Sequence, residues 1–394
     1  MQDDYDDWAQ EASRMSTVYH NALITISATS SKSGEEGLFR KWPDHEIRIR
    51  SGDEKASTFI FSDHRQHFTG QLQPDERTKP YPLLNRAWAY QERLLSPRVL
   101  HFGDSELIFE CMEELRCECR DDRTASTQII WTKFIKEPKL YLLSRTLLRQ
   151  TAGEIWKSML RQHSWLQLTY PSDKLVTLAG LAKQIAEPGD QYLAGLWKSR
   201  ILEDLTWQRA THFDVHPRPE WRAPSWSWAS IEAPLAPAGD FSRIETPMRH
   251  AVSAQLIDYK IVPKTADEYG ELRSGTIRLL AHCASVTWVE ESGECECGRT
   301  EYSVVFPNGQ ERRVKTDAID EITSMHSTEA VPVETVCVLI SEHQDRRTSL
   351  VLRRLKSEKE DFQRVGITGE IGIEDPMEDV WNLFPREKRI VTIV

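Results

Sequence analysis

Apolar positions mark out the first elements of the chain. Trp8, Ala12, Met15 and Tyr19 recur at steps of three and four residues, which places one apolar stripe along a helix. Asp6 or Asp7 can cap that helix, because acidic groups suit its positive end. Asn21 breaks the period. The run from Ala22 to Ala28 is short, apolar and rich in β-branched residues, and predicts a buried strand of a parallel sheet. Residues 29–37 are Ser/Gly-rich and predict a loop. Residues 40–80 are polar and irregular, with edge-strand candidates at Ile47–Ile49 and Phe59–Phe61.

Pro82 precedes a second helix expected over Leu84–Leu95, and Pro97 stops it. Strands are expected at Val99–Phe102 and Glu106–Cys111, followed by a charged loop over 112–127. Residues 129–168 read as mostly helical, and Pro171 to Lys174 opens a further helix that runs through Ile185. Leu193, Leu196, Trp197, Ile201 and Leu205 then repeat at helical spacing, which predicts a third long helix over Tyr192–Thr206.

At Pro224 the period changes. Trp226, Ser227, Trp228, Ala229 and Ser230 alternate as a strand does, with both indoles on one face and that face turned to the core. Further alternations fall at Ile277–Leu280, Val286–Val289, Tyr302–Phe306, Val336–Ile340, Ser349–Leu355 and Arg389–Val394. Pro307, Asn308 and Gly309 supply a hairpin turn. The expected fold class is α/β on an incomplete parallel sheet (residues 1–115), then a helical region (116–215) and a β-rich C-terminal lobe (216–394).

Composition narrows the function classes. The 394 residues carry 50 basic and 61 acidic groups, a net charge of -11, so the basic surplus of a nucleic-acid-binding surface is absent. No apolar run reaches the length that spans a bilayer. The acidic N-terminus lacks the basic and apolar regions of a secretory leader. Seven thinly spread cysteines do not form a disulfide framework, and together these features point to a cytoplasmic protein.

Candidate chemistry is sparse. Cys117 with Cys119 and Cys295 with Cys297 lack the spacing and the nearby histidines of a zinc site, so no metal is expected. His20 and His101 follow the two helices and suit either acid–base or structural roles. The sequence has no nucleophile elbow, no phosphate-binding Gly-rich loop and no metalloprotease helix, which removes the matching hydrolase, kinase, dehydrogenase and protease classes. Glu92 is the sharpest candidate. It lies four residues after Trp88 and shares its helix face.

Three stretches carry a family resemblance. Gln2 and Trp8 precede a helix that ends Met15, Tyr19, Ala22. The block from Leu84 to Arg98 contains Arg86, Trp88, Gln91 and Glu92 in the order Arg-x-Trp-x-x-Gln-Glu. Arg222 to Ser230 is a third block. The chain resembles fungal heterokaryon-incompatibility (HET) proteins, over about residues 2–115. The resemblance implies self/non-self recognition linked to programmed cell death, acting through protein partners or self-association of the HET domain. Trp8, Tyr19, Arg86, Trp88, Gln91 and Glu92 are its motif residues. HET domains are similar to TIR domains, some of which cleave NAD with a helix Glu in a Trp-x-x-x-Glu pattern. Glu92 matches that pattern, so an NAD-cleaving enzyme is the alternative, with NAD as substrate and no cofactor. The resemblance also implies that the first strands of a complete domain, with the edge that cradles the nucleotide, lie outside this chain. An inactive paralogue is therefore a further alternative.

Overall fold

A computed structural model describes residues 4–39, 44–49, 57–62, 81–104, 106–118, 135–144, 151–210, 216–236, 251–294, 300–318, 334–343, 346–357, 359–369 and 380–394. The chain divides into two compact units, one of residues 1–170 and 177–185, the other of 171–176 and 186–394.

The first unit begins with helix α1 (Tyr5–His20), whose start is held by Asp4 Oδ1 accepting from the Asp7 N–H at 3.2 Å. Strand β1 (Thr25–Ser27) follows, and β2 (Asp44–Ile49) pairs antiparallel with β3 (Ser57–Ser62), where the sequence places its edge-strand candidates. Helix α2 (Ala87–Leu95) is shorter than the periodicity predicts. Pro82–Asn85 form a separate 3₁₀ turn, and Arg86 is extended at φ -92° and ψ 132°. The reason is tertiary. The Gln167 carbonyl accepts from the Ala87 N–H at 3.0 Å, and the Asn85 carbonyl accepts from the Gln167 N–H at 2.7 Å. These groups are thereby taken from a continuous helix.

Strands β4 (Arg98–Phe102), β5 (Leu107–Cys111) and β6 (Leu115–Cys117) join β1 in a four-stranded sheet of order β1-β4-β5-β6. The β1–β4 pair is parallel, with Thr25 opposite Val99 and Ser27 opposite His101. The other two pairs are antiparallel. β6 lies within the stretch read as a charged loop. Among the described residues β1 pairs with β4 alone, and it is not the buried strand its apolar run predicts. Leu23 is 79% exposed and Ile26 59%.

Helices α3 (Glu137–Ser144), α4 (Ala152–Ser164) and α5 (Val176–Ile185) bear out the helical reading of this region. Thr151 and Glu154 close a reciprocal capping box at the start of α4, each side chain accepting from the other's backbone N–H.

In the second unit, the helix expected over Tyr192–Thr206 does not form. β7 (Tyr192–Leu193) and β8 (Leu196–Trp197) make a hairpin, and only a short helix, α6 (Ile201–Asp204), follows. Ala194 at φ 50° and Gly195 at φ 94° form its two-residue turn, whose positive φ values match strand twist. Tertiary hydrogen bonds override the helical period. The Ala194 carbonyl accepts from Ser227 Oγ at 2.6 Å and the Gly195 carbonyl from Trp228 Nε1 at 3.4 Å.

The Trp226–Ser230 segment is likewise not a strand. It turns into a 3₁₀ helix at Trp228–Ser230, capped by Ser227 Oγ accepting from the Ala229 N–H. Both indoles are core, at 0% and 1% exposure.

The rest of the second unit is β-rich: β9 (Ala251–Val252), β10 (Gln255–Pro263), β11 (Leu272–Glu294), β12 (Thr300–Val305), β13 (Glu311–Thr316), β14 (Thr335–His343), β15 (Arg346–Arg354), β16 (Asp361–Gly369) and β17 (Lys388–Ile393). The predicted Asn308–Gly309 turn joins β12 to β13, with Gly309 at φ 86°. Pairing runs from β11 through β12, β13, β16, β15 and β14 and returns to β11, so the strands close on themselves. Closure removes edges. Val304, Phe306, Cys337, Leu339, Val351 and Phe384 fill part of the core.

Candidate functional site

Two local patterns in the first unit meet in space. Helix α1 presents Trp8 and Met15 on its apolar stripe, with Asp7 and Glu11 alongside. The extended Arg86 and the first turns of α2 present Trp88 and Glu92. Together they line an open cavity of about 320 Å³. The Trp8 and Trp88 rings meet edge to face, with centroids 6.4 Å apart and planes at 87°.

Glu92 is the chemical centre of this cavity. Burial raises its carboxyl pKa above the ordinary 4.5, while a hydrogen bond from the Tyr19 hydroxyl and the charge of Arg86 act the other way. Tyr19 feels the same contact from its own side. Burial first, then the Glu92 carboxylate, holds its hydroxyl protonated well beyond its usual range. A carboxylate beside two indoles and a donor hydroxyl suits the binding or stabilisation of positive charge.

The motif residues do not all gather here. Trp8, Arg86, Trp88 and Glu92 line the cavity, and Tyr19 joins through Glu92. Gln91, one step round α2, faces the interior instead. It is fully buried, and its Oε1 accepts from the Gly180 N–H of α5 at 2.8 Å. A Cβ at Gly180 would meet that oxygen at 2.7 Å, so the glycine permits the contact. Gln91 thus ties two helices together. Asp7 and Glu11 are cavity residues that the sequence did not single out, although their helical spacing from Trp8 and Met15 carries the signal.

A second titratable cluster lies under the sheet. Glu110 accepts from Arg93 Nε at 2.9 Å and from Lys139 Nζ at 2.6 Å. His101 Nε2 stands 3.7 Å from the same carboxylate, and its Nδ1 is 3.0 Å from Thr29 Oγ1. Burial disfavours the Glu110 charge, but Arg93 and Lys139 overcome it and hold the carboxyl well below its usual range. Burial lowers the pKa of His101. His101 is therefore built into the interior, and neither it nor His20 lines the cavity. Sequence reading missed this cluster, because its members are scattered and carry no local pattern. Cys119, Cys295 and Cys297 lie outside the described residues, among which no group of metal-binding side chains occurs.

Residues 1–92 match the family model of the Heterokaryon incompatibility protein (HET), so the match ends on Glu92. Residues 1–92 are therefore similar to a HET domain. This segment contributes every residue that lines the cavity. No curated protein and no solved structure matches the chain. Among the described residues, no helix is long and apolar enough to cross a membrane.

Proposed function

We propose that the chain acts in heterokaryon incompatibility as a self/non-self recognition protein, with the HET segment triggering programmed cell death through protein contact or self-association. The observation that carries this reading is convergence: Trp8, Arg86, Trp88 and Glu92, separated in sequence, line one cavity inside the matched segment. Inducible expression in a filamentous fungal host tests it. Growth arrest should follow expression and fade for Glu92→Gln and Trp88→Ala variants that still fold. Unimpaired growth with well-folded protein would reduce the chain to an inactive paralogue.

A second reading is favoured by Glu92 itself: a TIR-like cleavage of NAD. In that reaction the glycosidic C–N bond breaks, its electron pair leaves with nicotinamide, and the ribosyl C1′ becomes cationic. Water adds to C1′ and loses a proton, giving ADP-ribose, nicotinamide and one proton. Glu92 would stabilise the cation, and Tyr19 would act as a positioning residue through its hydrogen bond. Release of nicotinamide from NAD by the purified chain, lost in Glu92→Gln, supports this reading. No release by a folded chain overturns it and leaves recognition by contact.

A further inference from the structure

Strand β10 stands outside the closed ring of strands. Among the described residues its nine residues pair with β11 alone, so its other side is a sheet edge. The sequence of this edge is self-complementary about Tyr259. Leu256, Ile257 and Asp258 precede that residue, and Lys260, Ile261 and Val262 follow it. An antiparallel copy of the strand centred on Tyr259 sets Asp258 opposite Lys260 twice over, with Leu256 and Ile257 meeting Ile261 and Val262. Centring the pair on Asp258 or on Lys260 instead sets like charges face to face, which disfavours those registers. Asp258 and Lys260 are exposed and alternate onto one face of the strand. Among the described residues neither enters an ion pair within its own chain. The Tyr259 N–H donates to Asp258 Oδ1 at 2.8 Å, a side-chain acceptor that the carbonyl of a paired Tyr259 can replace. The Tyr259 hydroxyl donates to Gln191 Oε1, and Lys198 Nζ lies 5.0 Å from the centre of its ring, so this side chain is held against its own chain.

We propose that β10 docks antiparallel against β10 of a second copy of this chain, two-fold about Tyr259, with Asp258 of each copy paired to Lys260 of the other. The surface lies outside residues 1–92, so the inference does not depend on the functional reading of that segment. A lysine on an edge strand discourages foreign strands, because pairing leaves its charge without a partner. The two-fold arrangement gives Lys260 a counter-charge and so selects the chain's own copy. The bulge at Ile257, and Pro263 with no N–H to donate, confine the ladder to the middle of β10. Contact along one short strand is small for a protein interface, so the dimer is weak and concentration-dependent. Pairing consumes the edge on both copies, and assembly stops at two.

Sedimentation velocity of the full chain, from low to high micromolar protein, tests this. A monomer–dimer equilibrium should appear and should weaken with added salt. Lys260→Asp sets acid against acid across the two-fold, and Asp258→Lys sets base against base. Each should weaken dimerisation by at least about tenfold. An equimolar mixture of the two variants should recover the wild-type affinity as a heterodimer, because every acid then faces a base. The double variant Asp258→Lys/Lys260→Asp should recover it as a homodimer. Both recoveries require folded protein and so separate a lost interface from a lost fold. A wild-type chain that stays monomeric at high micromolar concentration overturns the proposal. So does a dimer that both reversals leave unchanged, which would place the contact on another surface. Failure of both the mixture and the double variant to recover, or assembly beyond two copies, overturns it as well.

Discussion

The Trp8 ring on α1 meets the Trp88 ring on α2 edge to face, with centroids 6.4 Å apart. One contact therefore joins the two stretches of chain that line the cavity, and burial beside it raises the carboxyl pKa of Glu92.

The burial of Glu92 predicts a trade between stability and function. In the fold Glu92 keeps its proton to a higher pH than in the unfolded chain. The folded state thus binds more protons across that window, and stability is lost as pH rises through it. Glu92→Gln should raise the melting temperature at neutral pH, and raise it less in acid, where the wild-type carboxyl is already neutral. If the second functional reading holds, the same variant should lose about 10²–10³-fold in nicotinamide release. Thermal melts at several pH values check the first part. A fall in melting temperature at neutral pH would contradict it.

The Glu110 cluster predicts acid lability of the opposite sign. Glu110 and His101 both have lowered pKa values in the fold, so the unfolded chain binds more protons as pH falls. Stability should begin to drop below the ordinary His value of 6.5 and drop further below the carboxyl value of 4.5. Glu110→Gln leaves Arg93 and Lys139 buried against a neutral side chain, at a cost of about 3–5 kcal/mol. Urea titrations at neutral and acidic pH read both effects, and the mutant should show the flatter pH profile.

Arg364 holds the second unit together. It is fully buried, pairs with Asp317 at 3.0 Å, and donates to the carbonyls of Leu205 and Trp207, each at 2.7 Å. Its guanidinium lies 3.5 Å from the centroid of the Trp207 ring. Arg364→Met strands the Asp317 charge and should cost about 3–5 kcal/mol. Adding Asp317→Asn should recover part of that loss, because no uncompensated charge remains. Chemical denaturation of the single and double variants measures the recovery.

Gly195 predicts a backbone-specific effect. Its φ is 94°, and a Cβ there would collide with Trp228 Nε1. Gly195→Ala should cost about 1–3 kcal/mol from strain alone, with displacement of the indole in addition. Near-ultraviolet circular dichroism should report the disturbed Trp228, while Gly189→Ala, at φ 85° with open space around its Cβ position, should leave that signal unchanged.

The sequence determined what depends on near neighbours. The spacing of Trp8, Met15 and Tyr19 fixes the face of α1, and the four-residue step from Trp88 to Glu92 puts both on one face of α2. Strand alternation marked most of the C-terminal strands, and Asn308–Gly309 marked its turn. Only the tertiary structure decided the rest. Arg86 leaves the helix because Gln167 takes the backbone groups on either side of it. The Tyr192–Trp197 segment forms a hairpin because Ser227 and Trp228 bond its turn carbonyls. Tyr19 reaches Glu92, and Arg93, Lys139 and His101 gather on Glu110, through contacts between residues distant in the chain. Periodicity reports which face of an element is apolar. It carries no information about which distant donor or acceptor will satisfy a buried group, and that satisfaction sets the geometry of the cavity and of the charge cluster.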